Sequence, residues 1–434
     1  MKKIFSILFW SIISAAFIGP GTVTTAASAG ARFEYALLWA LLFSTFATVI
    51  LQEASARITI VSGLSLGQAI RHQFHGGARG WLVLILVVGA IIFGCAAYEA
   101  GNILGGVSGA LLGTGISFKR LTLILGSIAG IILWLGTPRI VAYILSAFVA
   151  FMGFAFLVTA WKLNPDWLQI LRGSFTPGFP AGSGLLILGL IGTTVVPYNL
   201  FLGSGIARGQ SLSELRFGLS IAVILGGIIS MGVLVVGTSV PGAFSFESLA
   251  RTLSERLGSW AEFLFAFGLC AAGLSSAITA PLAAAVTARS LFESENSSHW
   301  HERSWRYRSV WLGVLIIGIV FGLADVKPIP AIILAQALNG VVLPFVAVFL
   351  LILLNDPILM GDQNVNGFIA NTFTSLVVTV TIMIGIFNIS KALASTLAIS
   401  LSNQSILWST AGLTLTLAWP VQRMIQKRRQ NHSD

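Results

Sequence analysis

Charged residues are scarce in this 434-residue chain: Asp, Glu, Lys and Arg make up only 9% of it, whereas 56% is hydrophobic. A soluble domain carries about 25% charged residues, because its surface has to be hydrated. The scarcity therefore excludes a soluble protein. Long apolar runs recur along the whole chain, and the short alternating segments of an outer-membrane barrel are missing, so the composition predicts a polytopic helical membrane protein.

Cysteine and histidine are also few. Cys95 and Cys270 lie in apolar segments and are interpreted as small core residues. All five histidines fall in predicted loops or in the tail, which excludes an intramembrane histidine relay and a His or Cys cluster with metal-ligand spacing. The chain has no nucleophile–base arrangement, phosphate loop or redox motif, so we expect neither an enzyme nor a cofactor.

The net charge of +10 has a membrane explanation. Basic loop residues set the topology of a membrane protein, and the only dense basic run is the tail "QRMIQKRRQ", which is typical of a juxtamembrane anchor. We therefore expect no nucleic-acid partner. The expected partners are the lipid bilayer and a transported ion or small solute, and the sequence leaves the oligomeric state open, with a monomer as the simplest state.

Twelve apolar runs are long enough to cross a bilayer, which takes about 18 residues. They are 5–31, 36–60, 81–112, 119–136, 139–162, 183–207, 216–242, 260–290, 307–324, 328–354, 367–389 and 402–421. Twelve crossings put both termini on one side, where 16 of the 25 Lys and Arg residues then fall. This bias predicts cytoplasmic termini in a bacterial plasma membrane, and counting eleven spans would move only the tail.

Two predicted spans are interrupted by proline. Pro20 in "FIGPGTVTTA" and Pro197 in "TTVVPYNLFL" each remove a helix hydrogen bond, and irregular backbone at membrane depth is tolerated only inside protein or along a cavity. The breaks open two halves of five spans, 5–162 and 183–354, followed by extra spans at 367–421. Matched breaks favour a midplane site in an inverted-repeat transporter, and two unrelated proline kinks are the alternative. The linkers are short, so residues 1–434 are predicted to form one transmembrane domain, with a surface helix in the linker 243–259.

Two acidic residues fall clearly within predicted spans. Glu53 lies near one end of its span and is either an interfacial acid paired with Arg57 or a group that acts on a bound ion. Glu99 lies in mid-span, where an ionisable residue indicates a polar cavity more often than a structural hydrogen bond.

The residues around the breaks resemble the NRAMP family of divalent-metal transporters. "IGPGTVTTAASAGARFEYALLWALLFSTFATVILQEASAR" is similar to the first two helices of that family, "TTVVPYNLFLGSG" to the sixth, "FGLCAAGLSSAITAPLAAA" to the eighth and "LAQALNGVVLPF" to the tenth. The resemblance covers about Gly19 to Leu354. It implies an all-α, leucine-transporter-like fold of the APC superfamily, with a 5+5 inverted repeat, discontinuous helices 1 and 6 and about 12 transmembrane helices.

The resemblance also identifies departures at the site. The Asp, Asn and Met that hold metal in the family correspond to Gly19, Thr22 and Val196, so no confident metal ligand is present. The two helix-six histidines linked to proton transfer correspond to Tyr198 and Gly203. The substituted positions and the oxygen and amide groups around them are candidates for binding substrate, and three further residues are candidates for action from a distance or in coupling. The binding candidates are Gly19, Thr22, Thr193, Val196, Tyr198, Asn199 and Gln336, and the others are Glu53, Glu99 and Asn339.

Three functional hypotheses follow. The first is an alternating-access transporter of a divalent cation similar to Mn²⁺ or Mg²⁺. It would bind the cation weakly or in hydrated form, and its transport is not expected to be coupled to protons in the NRAMP manner. The second is a transporter of the same fold that carries a different, non-metal small solute. The third is a non-transporting membrane sensor, since the same fold serves signalling in plants.

Overall fold

The structure, a computed structural model, describes residues 18–74, 77–136, 139–293 and 299–396, with residues 409–414, 416, 419–420, 422–424 and 426 beyond them. All regular secondary structure within these residues is helical. The helices are α1 Pro20–Phe33, α2 Leu38–Ser62, α3 Leu66–Gln73, α4 Gly77–Gly113, α5 Phe118–Leu135, α6 Arg139–Lys162, α7 Trp167–Phe175, α8 Gly184–Thr194, α9 Pro197–Ile206, α10 Leu212–Gly237, α11 Phe246–Leu257, α12 Trp260–Phe292, α13 Trp305–Leu323, α14 Pro328–Leu353, α15 Pro357–Met360 and α16 Phe368–Thr396.

Ten helical segments among the described residues are long and apolar enough to cross a membrane, with α8 and α9 together counted as one of them. They match the predicted spans from 36–60 through 367–389, which confirms the polytopic all-α class. The first half of the predicted span 5–31 and most of 402–421 lie outside the described residues. The total of twelve spans therefore stays a prediction.

The helix that contains Pro197 is broken, as its sequence predicts. Helix α8 ends at Thr194 and α9 begins at Pro197, so Val195 and Val196 belong to neither helix, and Val196 is extended (φ −86°, ψ 115°). Proline fits the first position of α9 because the first N–H groups of a helix have no intrahelical partner. Helix α1 begins in the same way, with Pro20 first and Gly19 extended before it.

Helix α1 is buried from Pro20 to Gly30, and small residues allow this burial. A Cβ atom at Gly30 would overlap the carbonyl oxygen of Leu234, and one at Gly237 would overlap the backbone of Ala27. Helices α1 and α10 therefore approach almost backbone to backbone, as small residues permit in membranes. This contact holds the last turns of α1 against α10.

Helix α2 runs along both halves of the broken helix. Before the break, Thr48 Oγ1 donates to the Thr194 carbonyl at 3.2 Å. After the break, Ser55 Oγ donates to the Leu200 carbonyl at 2.6 Å, and a 2.6 Å hydrogen bond joins the hydroxyl of Thr59 to that of Ser204. One face of α2 therefore holds α8 and α9 through hydroxyl groups.

The surface helix predicted within 243–259 is present as α11, which begins with a capping box formed by Ser245 and Ser248. Three other short helices, α3, α7 and α15, occupy linkers for which the sequence predicts no structure. Each begins at a side-chain cap, Ser65 in α3, Asp166 in α7 and Asp356 in α15.

Candidate functional site

The two proline breaks predicted to form a site come together in the structure, where the start of α1 meets the end of α8. Thr22 lies in the first turn of α1 and Thr193 in the last turn of α8, and their Oγ1 atoms are 2.9 Å apart. Both side chains are buried, although 171 positions of sequence separate them. The structure therefore brings together the residues that follow Pro20 and precede Pro197.

The break in α8 frees backbone carbonyls at this point. In a continuous helix the carbonyl of Thr193 would accept from the N–H of residue 197, but proline has no N–H. The Thr193 carbonyl instead accepts from the hydroxyl of Tyr98 on α4 at 3.3 Å. The neighbouring Thr194 carbonyl accepts from Thr48, so hydroxyl groups of two other helices cover both carbonyls.

Gln336 of α14 lies across the start of α1. A Cβ atom at Gly21 would overlap its side-chain amide, and one at Gly101 of α4 would lie 3.8 Å from its Nε2 atom. The side chain is fully buried, and within the described part of the chain neither its amide nitrogen nor its amide oxygen has a hydrogen-bond partner. A buried amide without partners is unfavourable, so this group is suited to bind a ligand.

Tyr198 and Asn199 occupy the first turn of α9 and are both almost fully buried, as is Val196 before them. The Tyr198 ring packs edge-on against the Tyr98 ring, with centroids 5.3 Å apart and an interplanar angle of 84°. Among the described residues, the Tyr198 hydroxyl and both amide atoms of Asn199 lack hydrogen-bond partners. The turn after the break therefore adds further polar atoms that protein groups leave unsatisfied.

Glu99 is buried close to the site but packs towards another helix. A Cβ atom at Gly318 of α13 would lie 2.7 Å from Glu99 Cγ, and Asn102 Nδ2 donates to Glu99 Oε2 at 3.4 Å. Asn339 packs against an earlier turn of α4, where a Cβ atom at Gly94 would lie 2.8 Å from its Oδ1 atom. Both side chains therefore contact neighbouring helices, and their action on a bound ion from a distance stays a prediction.

Glu53 belongs to an ion-pair network at the end of α2. Its carboxylate lies 3.3 Å from Arg57 and 2.8 Å from Arg216 of α10. Arg57 also donates to the Asn366 side chain at 2.5 Å and to the Asn364 carbonyl at 3.3 Å. This geometry is that of the interfacial pair, the first of the two interpretations of Glu53.

The polar groups at the break are hydroxyl, carbonyl and amide groups, and all of them are neutral. Within the described ranges, no group of three or more His, Cys, Asp or Glu residues could hold a metal ion. Hydroxyl, amide and carbonyl oxygens suit hard cations such as Mg²⁺ and Ca²⁺ better than soft transition metals. A dication would have to keep part of its water here, because no acidic side chain among the residues that the structure describes lies at the break to offset its charge.

A discontinuous helix that meets a second helix start inside a bundle of membrane-spanning helices defines a transporter of the discontinuous-helix class. The chain belongs to the natural resistance-associated macrophage protein-like (Nramp) family, whose model matches residues 11–391. It is thus an integral membrane protein, and membership of this transporter family confirms the expectation that it is not an enzyme.

Relatives and solved structures agree with this assignment. The chain is 26% identical over 393 residues to the divalent metal cation transporter MntH of Verminephrobacter eiseniae, with 83% of each chain covered. It is 29% identical over 364 residues to MntH of Deinococcus radiodurans, with 79% of each covered. A manganese transporter structure from Eremococcus coleocola has a TM-score of 0.70 at 20% identity and covers 96% of this chain and 92% of its own.

The fold is shared more widely. Mhp1, a nucleobase-cation-symport-1 family transporter, has a TM-score of 0.59 at 15% identity, with 98% of this chain and 92% of that chain covered. At such identity the likeness concerns the fold alone. It confirms the predicted fold class with its discontinuous helix.

Sequence reasoning missed two residues at the site, Tyr98 and Thr48. Tyr98 has a signal that could have found it, because tyrosine is rare in this chain, with five in all, and Tyr98 precedes Glu99 in mid-span. Thr48 also has one, because Thr48, Ser55 and Thr59 recur at helical spacing and mark a polar face of α2.

Proposed function

We propose that the chain moves a divalent cation by alternating access and binds it weakly, with part of its water, where α1 begins and α8 ends. The contact between Thr22 and Thr193 carries this proposal, because it joins the start of α1 to the end of α8 through buried, neutral hydroxyl groups. The relatives named divalent metal cation transporter MntH support the substrate class. The substituted ligand positions Gly19, Thr22 and Val196 account for weaker binding.

In this mechanism the oxygen donors replace only some of the cation's water. Mg²⁺ keeps several waters when it binds to proteins, so the hydroxyls and the Gln336 amide can hold the hydrated ion by hydrogen bonds. The buried carboxyl group of Glu99 directly follows Tyr98 in the chain. It would act on the ion through its electric field and not by direct contact. Glu53, which is paired with two arginines, would stabilise the end of α2.

Movement of the ion is proposed to be facilitated rather than coupled to protons. Tyr198 and Gly203 stand where the NRAMP pattern has the two histidines linked to proton transfer, and neither residue offers an imidazole that could carry a proton. The internal pH of proteoliposomes, measured with an enclosed pH-sensitive dye, should therefore stay constant during uptake of the cation. Acidification that matches the cation flux would refute this part of the proposal.

The remaining topology is also proposed. Both termini lie in the cytoplasm of a bacterial plasma membrane, as the Lys and Arg distribution favours. The single domain consists of two five-helix repeats, 5–162 and 183–354, followed by extra helices within 367–421, and the monomer is the unit that transports. Cysteine accessibility at either terminus in intact cells and spheroplasts tests the orientation.

Uptake by proteoliposomes tests the substrate. We expect saturable uptake of Mn²⁺ and Mg²⁺ in the millimolar range, and weaker uptake when Gln336 is replaced by Leu. Thr287→Val is the matched control, because it removes an equally buried hydroxyl that bonds only to the Ala283 carbonyl of its own helix. If neither cation enters at millimolar concentration, the proposed function is wrong.

A second candidate is a small neutral solute. The observation that favours it is the pair of unpartnered buried amides at Asn199 and Gln336, since each offers a donor and an acceptor. Thermal-shift screening of the purified protein against amino acids, organic acids and metal ions separates the two. Stabilisation by metal ions only would exclude the neutral solute.

A further inference from the structure

The carbonyl of Thr193 is one of the acceptors that the helix break leaves without a backbone donor. Residue 197 is proline, and the helix ahead of it ends at Thr194. A carbonyl that is freed in this way and buried is a strong acceptor, because its full partial charge is available in a medium that screens it weakly.

Tyr98 supplies the hydroxyl that covers this acceptor. Its oxygen donates to the Thr193 carbonyl at 3.3 Å across the gap between α4 and α8, and the side chain is 4% exposed. The edge-on contact with the ring of Tyr198 restricts how the Tyr98 ring can turn. The hydroxyl is therefore held by packing in front of the carbonyl.

We propose that Tyr98 is a specificity-determining residue, whose hydroxyl competes with the transported cation for the carbonyl oxygen of Thr193. The proposal rests on the proposed function and adds a residue to it. A cation can coordinate this oxygen directly only after the Tyr98 hydroxyl has moved away. Cations that bind through their own water need not displace the hydroxyl, whereas cations that shed water must.

This competition predicts an effect that depends on the cation. Mg²⁺ gives up its water reluctantly and gains little from an uncovered carbonyl. Mn²⁺ and Ca²⁺ exchange their ligands more readily and gain more. Removal of the hydroxyl should therefore favour Mn²⁺ and Ca²⁺ over Mg²⁺.

The test is Tyr98→Phe, which removes one oxygen atom and keeps the ring against Tyr198. Uptake of Mn²⁺, Ca²⁺ and Mg²⁺ into proteoliposomes is measured over a range of concentrations. We expect the KM for Mn²⁺ and Ca²⁺ to fall by about threefold to tenfold, the factor that one net hydrogen bond represents, and the KM for Mg²⁺ to change less. Ser108→Ala is the control, since it removes a hydroxyl from the same helix that bonds to the Leu104 carbonyl at 2.8 Å.

The outcomes separate this inference from the function on which it rests. Uptake by the unmodified protein with an unchanged or raised KM for Mn²⁺ in Tyr98→Phe would overturn the inference and leave the function standing. No uptake of any of the three cations by the unmodified protein would overturn both. If the Phe variant is not recovered as a monodisperse protein, Tyr98→Met, which also lacks a donor, takes its place under the same criteria.

Discussion

The contact between Thr22 and Thr193 can be tested directly by a double-mutant cycle. Replacing either threonine with valine keeps the shape of the side chain and removes the 2.9 Å hydrogen bond. A buried hydrogen bond contributes about 1 kcal/mol net, and a buried hydroxyl that loses its partner costs about 1–3 kcal/mol. We therefore expect each single variant to lose about 1–3 kcal/mol of stability.

The double variant distinguishes a true contact from two separate effects. Because it removes both hydroxyls together, it should lose less than the sum of the single losses, by about 1–2 kcal/mol. Residues that do not touch give additive losses to within about 0.5 kcal/mol. Unfolding by SDS titration in mixed micelles measures all four proteins on one scale.

Additivity of the two losses would refute the view that α1 and α8 meet through these side chains. Uptake measured on the same four proteins adds a second criterion. Both single variants and the double variant should transport Mn²⁺ with a raised KM, since each lacks an oxygen donor of the site. Full affinity in the double variant would remove Thr22 and Thr193 from the site while leaving their structural contact intact.

Three further predictions concern stability and the site. Gln336→Leu removes two buried polar atoms that have no hydrogen-bond partner among the described residues, so the resistance to unfolding should stay equal or increase. The KM for Mn²⁺ should rise at least about tenfold, and an unchanged KM would show that Gln336 does not bind the ion. Glu53→Gln removes the negative charge that is paired with Arg57, and it should lower stability by about 1–3 kcal/mol while the KM for Mn²⁺ stays unchanged. A changed KM at normal stability would instead give Glu53 a role at the ion. Gly30→Val would push methyl groups into the Leu234 carbonyl and should abolish recovery of folded protein in size-exclusion chromatography; a normal yield would rule out the close approach of α1 and α10.

The positions of the helices and of the break could be predicted because they depend on local physics. Apolar length fixes which segments cross the membrane, and proline at 197 ends a helix wherever it occurs, since it has no N–H to donate. The meeting of the start of α1 with the broken helix could also be predicted, because matched breaks in two halves imply a shared site.

The hydrogen bonds that cover the freed carbonyls could not be predicted. Whether Tyr98 faces the break depends on the rotation of α4 about its axis, and α4 is apolar on nearly every side. The polar face of α2 that contains Thr48 can be seen in the sequence, but its partner, the Thr194 carbonyl, cannot. The same difficulty applies to Glu99, whose contact with Gly318 depends on the packing of α13. In a membrane an apolar face does not distinguish lipid from protein, so the pattern that orients a helix in a soluble protein carries little information.

The hydroxyl groups along α2 form hydrogen bonds to both parts of the broken helix and hold them in place. Thr48 bonds on one side of the gap at Val195 and Val196, and Ser55 and Thr59 bond on the other, all from one unbroken helix. Bending at the gap would stretch at least one of these bonds, which makes the gap a poor hinge. The three helices α2, α8 and α9 should therefore move together as one rigid unit when the protein changes conformation.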